Sequence, residues 1–251
     1  MPALAGTHAS REPPLSMSTT TDLPLLDDAL GALARTIPGA TALFHTHQLD
    51  FCCGGKKSLR AAAAERSLDT APIVAALKAL QAVPAGDGRD WQQATPAELI
   101  EHLLARFHAR HREQLPELIR LSRRVETVHA DRPECPTGLA DHLTGMAEAL
   151  ESHMQKEEQI LFPILLRGFP PMVHMPINVM RQEHDEHGEA LARLVALAHG
   201  LDMPRGACNT WRALVLGLRT LREDLMEHIH LENNLLFEGL NHAKSPAESV
   251  G

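Results

Sequence analysis

Residues 153–165, HMQKEEQILFPIL, decide the fold, because a near match, HIHLENNLLFEGL, recurs at 228–240. Both place Glu four residues after His (His153/Glu157 and His228/Glu232), and both continue with Leu-Phe, at 161–162 and 236–237. Upstream, FHARHREQL at 107–115 aligns with EHDEHGEAL at 183–191, which sets His108 on His184 and His111 on His187. His184 lies 76 positions after His108, and His228 lies 75 after His153. That near-constant offset marks a duplicated two-helix unit, and two copies predict a four-helix bundle.

Residues i and i+4 of an α-helix share a face about one turn apart. Each His-x-x-x-Glu pair can therefore aim an imidazole and a carboxylate at one point, and the other two helices add one imidazole each. Spacing alone leaves His108 or His111 open, and likewise His184 or His187, since i and i+3 also share a face. Four nitrogens and two carboxylates are rich for one metal and natural for two. If both carboxylates bridge, each metal has two imidazoles and two carboxylate oxygens, an oxo or hydroxo bridge makes five, and one position stays open. This mixed set predicts iron ahead of manganese or zinc, and it differs from the ferritin-like Glu-x-x-His pattern. A lone His-x-x-x-Glu is a weak signal that often forms only a surface pair; the duplication is what gives it weight. His230 lies about 200° round the helix from His228 and reads as solvated. His102, His129, His142 and His199 have no duplicate and read as structural or surface residues.

A chain of 251 residues with 44% hydrophobic content can bury a core of its own. No long apolar run and no charged-then-apolar leader stands out, so a cytoplasmic protein without a membrane span is expected. A net charge of −8 argues against broad nucleic-acid binding, and leaves Arg110, Arg112, Arg120, Arg123 and Arg124 as a solvated helix face. The chain has no Tyr, which excludes tyrosyl chemistry. Ser-, Thr- and Pro-rich residues 1–22 read as a disordered tail. Residues 23–82 read as a small helical domain, with helices in ALGALARTIPG, LRAAAAERS and APIVAALKALQAV. Residues 83–94 read as a Pro/Gly linker, 95–242 as the bundle and 243–251 as a tail. Thr95, Pro96 and Glu98 form a capping-box signature at the start of the bundle. Pro116 and Pro163 are expected to kink or unwind their helices.

HQLDFCCGGKKSL at 47–59 is the other unusual stretch. Gly54-Gly55 permits a sharp turn, which would set Cys52 and Cys53 at a helix start beside Lys56 and Lys57. Both features lower a thiol pKa, so the pair reads as redox-active or metal-capturing. The bland alternative is two small buried side chains beside a turn. Cys135 and Cys208 lie near helix boundaries without evident partners and read as structural.

These motifs together resemble the di-iron proteins for repair of iron centres, the ScdA/YtfE-type iron–sulfur cluster repair family. The likeness spans about residues 23–240 and rests on DFCCGGKKSL at 50–59, FHARHREQLPEL at 107–118, ETVHADRP at 126–133, SHMQKEEQILFP at 152–163, EHDEHGEAL at 183–191 and DLMEHIHLENNLLF at 224–237. The resemblance implies an all-α chain: a small Cys-Cys domain followed by a hemerythrin-like bundle that holds two non-haem irons. It implies His108, His153, Glu157, His184, His228 and Glu232 as ligands, with both glutamates bridging. It further implies repair of iron–sulfur clusters damaged by nitrosative or oxidative stress, by iron donation. Nitric oxide or peroxide would be the small ligands, damaged iron–sulfur proteins the partners, and a homodimer is compatible. The rival readings are a carrier that sequesters nitric oxide or oxygen and a nitric oxide reductase, both using the same ligands. Phe51 and Phe107 stand where relatives often have Tyr, which puts any phenolic hydrogen bond in doubt.

Overall fold

The computed structural model describes residues 23–37, 39–82, 91–168 and 171–238. The expected tails at 1–22 and 243–251, and positions 83–90 of the expected linker, lie outside the described residues. Five short helices open the described chain: α1 (Leu23–Asp27), α2 (Leu30–Thr36), α3 (Ala40–Thr46), α4 (Leu59–Glu65) and α5 (Thr70–Ala82). They close around Leu30, Phe44, Phe51, Leu59, Ile73 and Leu77, all fully buried. Ser58 caps α4 by accepting a hydrogen bond from the Ala61 N–H, which satisfies one of the free donors of the first turn. Trp91–Gln93, expected as linker, form a 3₁₀ turn, and the Trp91 ring lies 4.0 Å from that of His102.

The first bundle helix is α6 (Pro96–His102) joined through a π turn at Leu103–His108 to α7 (Ala109–Val128). The Thr95 hydroxyl and Glu98 carboxylate complete the capping box that starts it. The second is α8 (Leu139–Lys156), a π turn at Glu157–Leu161, and α9 (Phe162–Leu166). The third is α10 (His174–Leu197), and the fourth is α11 (Asn209–Leu231) ending in a π turn at Glu232–Leu236. Helix α7 packs on α8 and α11, and α10 packs on the same two, which closes a four-membered ring. Helix α7 runs through Pro116 without the local unwinding that was one of the two expected outcomes there. At Pro163 the expected unwinding takes the form of the π turn just before it.

Three of the four bundle helices contain such a turn, each closed by an i to i−5 hydrogen bond: Ala109 to Leu104, Phe162 to Glu157 and Phe237 to Glu232. A π turn inserts one extra residue and re-aims the side chains beyond it. The recurring Leu-Phe pairs thereby reach an apolar plug of Leu99, Leu103, Phe107, Leu161, Phe162, Leu236 and Phe237. A second core, from Leu115 through Leu150, Leu194 and Leu218 to Ile229, fills the other end. The polar residues of interest lie between the two. The small domain does not stand apart: Cys52 is part of the bundle core, and Met226 packs against both domains' cores.

Candidate metal centre

Two four-residue groups converge at the middle of the bundle, His108/Glu157/His228/Glu232 and His153/Glu157/His184/Glu232, with every member buried. The same two glutamates serve both groups. Glu157 turns Oε2 toward His108 Nε2 and Oε1 toward His153 Nε2, each at 3.4 Å. Glu232 turns Oε1 toward His228 Nε2 at 3.1 Å and Oε2 toward His184 Nε2 at 3.0 Å. The imidazoles meet in pairs, His108 with His228 at 3.2 Å and His184 with His153 at 3.1 Å, Nε2 to Nε2. Two ligand atoms held about 2.1 Å from one ion and a right angle apart would be about 3.0 Å from each other. The pairs match that separation. The spacing-based ambiguity therefore falls to His108 and His184, while His111 and His187 stay outside both groups.

The donor set fits cations and little else. Both oxygens of Glu157, and Oε2 of Glu232, are buried without a hydrogen-bond donor among the described residues. Such carboxylates are costly unless a positive charge meets them. Burial, then the Glu232 charge, push the Glu157 carboxyl up to about 8. Burial opposes ionisation of Glu232 as well, but the neighbouring His228 and His184 imidazoles hold it well below the usual carboxylate range. Burial lowers His228 to about 4.

Most of the imidazoles are oriented from behind, by residues that the sequence reading did not single out. His108 donates from Nδ1 to Glu158 at 2.8 Å, and Arg112 steadies Glu158 at 2.8 Å. His153 donates to Glu183 at 2.9 Å, which Lys156 also holds. His184 donates to Asn233 Oδ1 at 2.9 Å. Their signal was in the duplication: Glu158 and Asn233 come directly after Glu157 and Glu232 in the two copies. His111 and His187 are buried beside the centre. The His111 ring stacks on His228 at 5.4 Å, and the His187 ring meets His153 edge-on at 5.0 Å. Neither ring nitrogen of His111, nor Nε2 of His187, has a partner among the described residues. Burial holds His111 well below the usual range and His187 down to about 3, so both rings are neutral.

Three expectations are overturned by this arrangement. His230 is buried, not solvated: its ring lies 5.4 Å from Phe51, and its Nδ1 meets Asn234 at 3.0 Å. The docked small domain covers the helix face that a bundle alone would expose. Nor do Cys52 and Cys53 start a helix, since α4 begins at Leu59, and Lys57 turns away to Glu65 at 2.8 Å. They sit in a loop wrapped on Asp50, whose carboxylate accepts from the N–H groups of Cys52, Cys53 and Gly54. The hydrogen bond with Cys53, then burial and Asp50, push the Cys52 thiol well up rather than down. Cys53 Sγ donates instead to the His184 carbonyl at 3.0 Å, and Asn233 Nδ2 donates to the Cys52 carbonyl at 3.4 Å. The thiol pair thus lies directly behind the His184 ligand position. Cys208, expected without a partner, has His129 Nε2 at 3.3 Å.

Comparison with known proteins agrees with this geometry. Residues 99–240 match the hemerythrin HHE cation binding domain, and residues 26–81 match the ScdA_N model, a domain of unknown function. A protein of Yersinia pseudotuberculosis serotype O:1b named iron-sulfur cluster repair protein YtfE is 52% identical over 211 residues, 84% of this chain and 95% of the relative. Proteins of the same name from Pectobacterium carotovorum and Dickeya chrysanthemi are each 51% identical, with the same coverage. The chain therefore belongs to the hemerythrin HHE family, carries an ScdA_N-type domain ahead of that bundle, and has relatives named iron-sulfur cluster repair proteins.

Proposed function

We propose that the protein repairs iron–sulfur clusters and that it does so as a di-iron protein. His108 and His228 would hold one ion and His153 and His184 the other, with Glu157 and Glu232 shared between the two. The observation that carries this reading is the sharing of the two glutamates, each with one oxygen toward either imidazole pair. When bound, the iron pair would supply a change of oxidation state and a place to engage a small molecule such as nitric oxide or peroxide. The chain does the rest. Glu158, Glu183 and Asn233 accept from Nδ1 and so leave the Nε2 lone pairs free for the ions. Glu157, with its carboxyl raised to about 8 by burial and the Glu232 charge, would have to lose that proton to hold a cation. His111 and His187 offer neutral ring nitrogens to a small ligand beside the centre.

Damaged iron–sulfur proteins are the targets in this reading, and iron donation to them is the repair step. Cys52 and Cys53 are its redox or transfer thiols; the contact of Cys53 with the His184 carbonyl supports this. The relatives' name favours repair over gas carriage, and a pure carrier has no use for a thiol-bearing second domain. No helix among the described residues is long and apolar enough to cross a membrane. Four free cysteines suit a reducing compartment, in keeping with work in the cytoplasm. The test is transfer of isotopically labelled iron from the full chain to an apo iron–sulfur acceptor, before and after treatment with nitric oxide. Close to two irons per chain and restored acceptor activity are expected. Tight retention of the label, with nitric oxide bound reversibly, would make it a carrier.

A further inference from the structure

Three of the four inward-facing imidazoles are held from behind, and the fourth is not. His108, His153 and His184 donate to Glu158, Glu183 and Asn233, whereas His228 Nδ1 has no partner among the described residues. The duplication accounts for the difference. Glu158 and Asn233 occupy equivalent positions, and so do Glu183 and Phe107. Where one half sets a carboxylate on His153, the other lays a phenyl ring on His228, with centroids 5.5 Å apart and planes 8° from parallel. A stacked ring fills space but offers no acceptor, so it neither fixes the imidazole tautomer nor raises its basicity as a carboxylate does.

The two positions also differ in cover. Behind His184 lie Cys53 and Asn233, tied to the small domain. Beyond His228 lies Phe107, which lines a cleft of about 690 Å³ between the small domain and the bundle. Glu223, Asp224 and Glu227 line the same cleft, with Arg106. Arg106 takes Oδ1 of the buried Asp224 at 2.6 Å, while Oδ2 has no donor among the described residues. Carboxylate oxygens along a passage are what a hard cation needs once it has left its imidazoles.

We propose that the two metal positions are inequivalent: the ion at His108/His228 is the exchangeable one and passes through the cleft beside Phe107, while the ion at His153/His184 is retained. This deepens the two-ion reading above and rests on it. The exchanging ion passes to an acceptor as an intact cation, with no change in the retained one.

The test uses the full chain loaded with iron, its content fixed first by elemental analysis, and then mixed with excess ferrous chelator under reducing conditions. Release should be biphasic, one iron per phase, with rates separated by about tenfold or more, the usual effect of an orienting partner. Phe107→Leu should speed only the fast phase and Asp224→Asn should slow only that phase. Glu183→Phe, which gives His153 the surroundings of His228, should bring the slow phase up to the fast one. If a variant fails to fold, the wild type decides alone. Iron-57 added back after the fast phase should restore just one of two Mössbauer doublets. A chain that holds two irons and loses them in one phase, or refills both doublets together, overturns the proposal. So do folded variants that leave their phases unmoved. A chain holding one iron sinks the two-ion reading itself, before any release is measured.

Discussion

Glu157 and His230 are both buried ionisable groups on bundle helices, yet their titrations act on stability with opposite sign. Burial and the Glu232 charge raise Glu157 from the ordinary 4.5 to about 8, so the chelator-stripped fold binds a proton that the unfolded chain releases. Its stability should therefore fall as pH rises from about 4.5 to about 8, by about 3 kcal/mol at pH 7. Glu157→Gln removes that cost. The stripped variant should withstand more urea than the stripped wild type at pH 7, while losing most of its bound iron. Equal urea midpoints would mean that the two carboxyls do not oppose each other. Burial, then the Arg35 charge, lower His230 from 6.5 to about 4. That fold keeps the ring neutral, so its contribution is complete above pH 6.5 and is lost as pH falls toward 4, again about 3 kcal/mol. His230→Gln should flatten the melting temperature between pH 6.5 and 4 and leave the iron content unchanged. An iron loss in this variant would bring His230 into the centre.

Among the elements, the capping box and the π turns divide the work. Thr95 accepts from the Glu98 N–H, and Glu98 accepts from the Thr95 N–H at 2.9 Å, which fixes where the first bundle helix starts. Thr95→Ala should cost about 1 kcal/mol of unfolding free energy, read by chemical denaturation, with no change in iron binding, because the proposed ligand His108 lies a π turn further on. The π turns do the aiming. By re-aiming Phe162 and Phe237 after each Glu, they set the Phe162 ring, tilted, 5.8 Å from His108 and stack that of Phe237 5.9 Å from His184. Helix α10 has no such turn, and His184 is aimed by Asn233 from the neighbouring helix.

At the scale of the molecule, the docked small domain is what turns a generic bundle into one with two different faces. Its seat is tight at Gly31: a Cβ there would come within 2.6 Å of Asn234 Oδ1 and 3.2 Å of the Gly55 carbonyl. Gly31→Val should therefore wedge the domain off the bundle. Cys52, now only 5% exposed, should become rapidly alkylated, and the melting temperature should fall by about 4–8 °C for each kcal/mol lost in a small domain. Protection of Cys52 equal to the wild type would show that the interface yields without opening.

The sequence by itself determined the helices, their duplication and the residue types that could meet, because these depend on a local period of 3.6 and on an offset between copies. His153/Glu157 and His228/Glu232 were legible for that reason, as was the all-α class. Resemblance added His108 and His184 where spacing left His111 and His187 equally open. What only the tertiary structure decided depends on contacts between chain segments far apart. It set which oxygen of Glu157 and Glu232 faces which imidazole, and it made Glu158, Glu183 and Asn233 the supports behind the centre. It buried His230 beneath Phe51, and it turned Cys53 onto the His184 carbonyl instead of onto a helix end. None of these is periodic. Each arises because burying apolar faces against each other, helix on helix within the bundle and domain on domain at His230 and Cys53, fixes side chains far apart in sequence.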